Sequence, residues 1–222
     1  MTMVDEYLSE REQADQLRQW LRENWIWIVA GVALTLGGYY GVRWWESRQA
    51  SRSLEAGQRF AAMLDAIGSN RRDEGLRIAG EVTGEYADTP YADQATLVLA
   101  RLDVDSGNLA GAEKRLAAIA KDSRDPDLRL VARLRLARVQ LAQGRYDDAL
   151  ATLHAVTEAS AGPRVLELEG DVKLAQGDKK AALEAWRKAQ AAVAASPDGA
   201  GQLDAELLQL KIDELSAAQA TE

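Results

Sequence analysis

The chain has no cysteine, which excludes disulfide cross-links, thiolate catalysis and the usual structural zinc sites. This absence leaves the compartment open, because an oxidising space does not demand disulfides. Histidine occurs once, at His154, beside Leu153 and Val156. No second histidine or clustered carboxylate accompanies it, so it reads as a helix-surface residue rather than a general base or metal ligand. Basic runs are missing too. The net charge is −8, and no Lys/Arg stripe exists that could displace phosphate counterions, so nucleic acid is not an expected partner. Neither G-x-S-x-G nor G-x-x-x-x-G-K-[ST] occurs, which leaves acyl transfer and P-loop chemistry without an anchor. Asp147 and Asp148 fall at a helix start, where backbone dipole and capping favour acids. The expectation is a protein that is not an enzyme, with no cofactor and no metal. Proline occurs four times and phenylalanine once, while Ala, Leu, Glu, Gln and Arg dominate. That usage predicts an all-α fold.

One hydrophobic run stands out. Trp25 to Val42, WIWIVAGVALTLGGYYGV, is 18 residues without a charge, and about 18–20 such residues in a helix cross the hydrocarbon core. Trp20, Trp25, Trp27, Trp44 and Trp45 sit at its edges, five of the six tryptophans, with Tyr39 and Tyr40 beside the second edge. Aromatic rings at both water interfaces mark a spanning helix, whereas a buried soluble helix has no reason to collect them at its ends. The following RWWESRQAS offers no small-residue cleavage site before the bulky Trp pair, so the run reads as an anchor and not a removed signal peptide. Arg11, Arg18 and Arg22 precede the run, and Arg43, Arg48, Arg52 and Arg59 follow it. This balance does not decide the orientation. Gly37 and Gly41 form a G-x-x-x-G pair with Ala33 one step earlier, a small-residue face that another membrane helix could approach closely.

The remainder repeats. LVLARLDVDSGNLAGAEKRLAAI (Leu97 to Ile119) aligns with LRLARVQLAQGRYDDALATLHAV (Leu134 to Val156) at a spacing of 37, and then with LEGDVKLAQGDKKAALEAWRKA (Leu168 to Ala189) at 33. Units of ~34 residues with small residues at fixed offsets predict tetratricopeptide-like helical hairpins. Gly107, Gly144 and Gly177 are expected to end each first helix in a left-handed conformation, and Asp178 to cap the next helix. Ala100, Ala137 and Gly170, with Ala112, Ala149 and Ala182, take the close crossings. Leu99, Leu136, Leu116, Leu153 and Trp186 are expected in the hairpin cores. Glu169 breaks this pattern, which shifts packing to Leu166 and Leu168. Leu54, Phe60, Met63, Leu64 and Ile67 suggest one helix of a degenerate earlier hairpin, and Leu76, Ile78, Ala79 and Val82 its second. Leu207, Leu208, Leu210, Ile212 and Leu215 suggest a terminal capping helix.

The expected organisation is a tail over 1–24, a transmembrane helix over 25–45, a degenerate hairpin over 46–90, three repeats over 91–195, and a capping helix and tail over 196–222. In such hairpins the first helices line the groove. The groove positions in this register are Gln94, Leu97 and Arg101, then Val131, Leu134 and Arg138, then Glu167 and Asp171. Mixed apolar and charged side chains there suit an extended polypeptide.

The anchor ending in RWWES, together with RLRLARVQLAQGRYDDALATL, LEGDVKLAQGDKKAALEAWRKA and QLKIDEL, resembles the YfgM family of bacterial inner-membrane proteins. The resemblance covers nearly the whole chain and the order of its parts. It implies a single-pass type II topology with the repeats in the periplasm. It also implies association with the SecYEG translocon and a PpiD-like chaperone, passage of exported client polypeptides to periplasmic chaperones, and a link between the tail and a stress response regulator. No catalytic residue comes with it. The rival expectation is a membrane-anchored scaffold or regulator that binds one envelope or signalling partner.

Overall fold

The structure, a computed structural model, describes residues 10–156, 162–195 and 203–220. Among these residues every regular element is an α-helix: α1 (Glu10–Gly68), α2 (Arg72–Glu85), α3 (Pro90–Asp105), α4 (Leu109–Asp122), α5 (Pro126–Ala142), α6 (Tyr146–His154), α7 (Gly162–Ala175), α8 (Lys179–Ala195) and α9 (Ala205–Ala220). The chain divides into two units, the first ending at Arg52 and the second beginning at Ser53. Helix α1 continues through residues 45 and 46, between which the sequence suggested a boundary. The link Ser196-Pro197-Asp198-Gly199 lies outside the described residues.

In the first unit the apolar run of α1 is long and hydrophobic enough to cross a membrane. Its mean hydropathy reaches 1.5 over an 18-residue window, and none of that window is buried. Trp25, Ile26, Trp27, Leu34 and Leu36 all point away from protein. A rod of unpartnered apolar side chains is stable in lipid and costly in water. Its polar groups turn inward, as hydrocarbon requires. Thr35 Oγ1 donates to the Gly31 carbonyl at 2.8 Å. An added Cβ at Gly37 or Gly41 would meet nothing within 4 Å, so this face is open.

The second unit is a succession of hairpins. The last turns of α1 pair with α2 through a core of Met63, Ile78, Ala79 and Val82, to which α3 adds Ala95 and Leu99. Leu54, Leu64 and Leu76, which the sequence grouped with these residues, are exposed instead. They fall on the outer faces of α1 and α2, where apolar spacing alone cannot tell the sides apart. Arg71 holds the connecting turn, donating to Asp65 Oδ2 and Glu74 Oε2, each at 2.6 Å.

Each later hairpin turns at a glycine. Gly107, Gly144 and Gly177 have φ of +79°, +73° and +85°, a region that costs an L side chain about 1–2 kcal/mol. The next helix is then started differently in each copy. Asn108 Oδ1 accepts from the Gly111 amide at 3.1 Å, and Asp178 Oδ1 accepts from the Ala181 amide at 3.0 Å. Arg145 has no capping side chain to offer and instead ties α4 to α6, donating to Glu113 Oε1 at 2.6 Å and Asp148 Oδ2 at 2.7 Å. Pro126 is the first residue of α5, with Asp125 capping the amides of Asp127 and Leu128.

Leu99 and Leu136 correct the expected register. They look back to the preceding hairpin, Leu99 toward Met63 and Val82, Leu136 toward Leu116 and Ile119. Leu97 and Leu134, two residues earlier, fill their own hairpins with Ala100 and Leu116, and with Ala137 and Leu153. A first helix in a stack touches two neighbours, so residues two apart, about 200° around the helix, serve opposite sides. At the third hairpin Leu168, one of the two residues expected to replace Glu169 in packing, is buried with Val172 against α5 and α6, while Leu166, the other, packs with α8 and α9.

Candidate protein-binding cleft

Two hollows open along the first helices. The first, about 340 Å³, is walled by Leu97, Ala100, Arg101 and Val104 of α3, Leu109 and Leu116 of α4, and Arg135, Arg138, Val139 and Ala142 of α5. The second, about 410 Å³, is walled by Val131, Leu134, Arg135 and Arg138 of α5, Arg164 and Glu167 of α7, and Leu203, Asp204 and Leu207 at the approach to α9. Arg135 and Arg138 border both.

The expected groove residues therefore separate. Arg101 and Arg138 are exposed rim cations, with Arg101 contacting Asp105 only at 3.8 Å. Leu97 and Leu134 are 7% and 3% exposed, so they are core residues forming floors and not free groove faces. The close Ala100 and Ala137 crossings pull each second helix over them. Val131 is half-buried against the core of the hairpin before it. Gln94, half-buried on α3, borders neither hollow.

Glu167 and Asp171 are committed elsewhere. Lys211 of α9 donates to Glu167 Oε1 at 3.0 Å and to Asp171 at 2.8 and 3.0 Å. Trp186 Nε1 shares the site, donating to the Glu167 carbonyl at 3.0 Å and Asp171 Oδ1 at 3.1 Å. The Lys211 ammonium also stands 5.7 Å from the Trp186 ring centroid, within cation–π range. Burial pulls the Lys211 pKa down, but the hydrogen bonds and charges of Asp171 and Glu167 outweigh it and leave the value raised. The Trp186 indole packs against Gly170, where an added Cβ would sit 2.3 Å from its Cδ1. This indole is what demands a glycine where the earlier copies carry Ala100 and Ala137.

Arg135 escaped the sequence reading. Its counterparts are Val98 and Leu168, both apolar, so the repeat alignment marked the position as packing. The available signal was local: Arg135 precedes Arg138 by three residues and shares its face. Burial lowers the Arg135 pKa, and the charges of Arg101 and Arg138 lower it further. Among the described residues neither Arg135 nor Arg138 has a hydrogen bond or ion pair. Leu203, Asp204 and Leu207 were also missed, because a capping helix gives no hint that its approach forms a wall.

A family model described as a tetratricopeptide repeat-like domain matches residues 18–217, which takes in both the apolar helix and the hairpins. An ancillary SecYEG translocon subunit of Escherichia coli is 31% identical over 95% of this chain and 98% of its own length. The chain belongs to the YfgM family. A second relative of the same name, from Haemophilus influenzae, is 28% identical over 94% of this chain and 98% of its own. The crystal structure of PcrH from Pseudomonas aeruginosa aligns with a TM-score of 0.47 and 20% identity, over 57% of this chain and 93% of that one. Within the YfgM frame the hollows fall on tetratricopeptide first helices. Among the described residues no group of three His, Cys, Asp or Glu side chains could hold a metal ion.

Proposed function

We propose that this protein is an ancillary subunit of the SecYEG translocon, anchored in the bacterial inner membrane by α1, with its hairpins in the periplasm. The near full-length similarity to translocon subunits, spanning anchor and repeats alike, carries the reading. In this role the hairpins contact exported polypeptides and a PpiD-like chaperone, and help pass those polypeptides from SecYEG to periplasmic chaperones. The hollows supply apolar floors with cationic rims, suited to an extended chain. Tethering raises the local concentration of the binding surface, so weak individual contacts suffice. The open face of Ala33, Gly37 and Gly41 is the surface for another membrane helix. The role is binding, not catalysis.

A photo-crosslinker placed at Arg138 in intact membranes tests the role. Crosslinks to SecYEG components and to a spread of exported proteins are expected. Labelling of cytosolic proteins alone rejects it, and one stoichiometric partner without exported chains favours a dedicated scaffold. Protease should reach the hairpins in spheroplasts and not in sealed inverted vesicles.

A further inference from the structure

We propose that the paired hollows at Arg101, Arg135 and Arg138 take an extended segment in which acidic side chains alternate with apolar ones. The inference rests on the protein-binding reading above and specifies the chemistry of the partner.

Three observations converge. The first hollow combines a floor of Leu97, Leu116 and Val139 with a rim on which the only charged groups are those three arginines. No acid lines it, in a chain whose net charge is −8. Apart from the 3.8 Å contact of Arg101 with Asp105, this rim is purely cationic, which is complementary to an acidic ligand and repels a basic one. Second, Arg135 and Arg138 form no hydrogen bond or ion pair among the described residues, whereas Arg71, Arg115 and Arg145 are all bound to carboxylates. Neighbouring guanidinium charges that disfavour one another are stabilised by an arriving carboxylate, which can accept two parallel N–H donors. Third, the same two arginines border the second hollow, whose acids are occupied. Glu167 is held by Lys211, and Asp204 Oδ1 caps α9 by accepting from the Leu207 amide at 3.0 Å. One acidic side chain at the shared ridge would therefore sit between two apolar sockets, one formed by Leu97 and Leu116, the other by Leu134 and Leu207.

The test uses the full chain in detergent or lipid nanodiscs and two labelled eleven-residue probes, one alternating Glu and Leu, the other Gln and Leu. Two charge contacts with Arg135 and Arg138 predict tighter binding of the Glu probe by about tenfold. That preference should shrink in high salt, vanish in Arg135→Gln/Arg138→Gln, and persist in Arg77→Gln. Arg135→Glu/Arg138→Glu should instead prefer a Lys/Leu probe, which guards against simple loss of fold. Equal affinity for the Glu and Gln probes, a preference that survives the double substitution, or displacement by short oligouridylate as readily as by unlabelled peptide overturns the inference. Membrane crosslinks to SecYEG that persist without a charge preference overturn this inference alone. A charge preference without such crosslinks overturns the translocon reading alone.

Discussion

Gly170 and Trp186 show how one side chain rewrites a repeat position. The indole fills the space that a methyl group occupies in the earlier copies, and it satisfies its N–H on Glu167 and Asp171. Gly170→Ala should therefore destabilise the hairpin unit by about 1–3 kcal/mol through overpacking, read as a lower midpoint in urea. The same change at an ordinary helix glycine would stabilise, so the sign identifies the clash. Lys211 is the second sensitive residue. Its replacement by Met removes the cation from two carboxylates, Glu167 being only 13% exposed at its side chain, and should cost about 1–3 kcal/mol. The native pKa of Lys211 is raised above its unfolded value. Its contribution is therefore complete below the ordinary lysine range and fades as pH rises through the raised value. Wild type and Lys211→Met should differ in melting temperature at neutral pH and converge at strongly alkaline pH. The small residues at crossings were legible because each recurs at a fixed offset. Arg135 was not, because it occurs once, in a column that is otherwise apolar.

At the scale of helices, the turn glycines were legible and the facing of the leucines was not. Periodicity says that Leu97 and Leu99 both belong inside, but a stacked helix has two insides, and only the neighbours decide which residue serves which. The three left-handed glycines make a graded test. Gly144→Ala should cost about 1–2 kcal/mol from backbone strain alone, since its Cβ meets nothing within 4 Å. Hydrogen exchange should then accelerate most in α5 and α6, because stacked hairpins lose stability locally and pass it on only to neighbours. Helix α9 was visible as an apolar terminal helix, while the placement of Leu203, Asp204 and Leu207 beside α5 is encoded by no pattern. The Lys211 bridge was equally hidden, since it joins positions 40 and 44 residues apart.

For the molecule as a whole, the anchor and the hairpins make separable demands. The apolar surface of α1, from Trp25 to Val42, is left exposed by the described residues. Removing residues 1–45 should move the protein from the carbonate-resistant membrane fraction to the aqueous phase, while helical circular dichroism from the hairpins persists. The anchor was legible from the sequence because the bilayer imposes a length, and the repeats because stacking imposes a period. The cleft followed from neither, since its cations are individual substitutions on a recurring frame.

Helix α9 lays Leu208, Ile212 and Leu215 over Ala182, Leu183, Trp186 and Ala189, with Lys211 pinning it from the side. A hairpin solenoid whose last unit stayed bare would offer the first unit of another molecule a ready seat, and crowding in a membrane would string such molecules into chains. Here an incoming copy would have to displace α9 and break its Lys211 bridges before it could stack on that end of the hairpins.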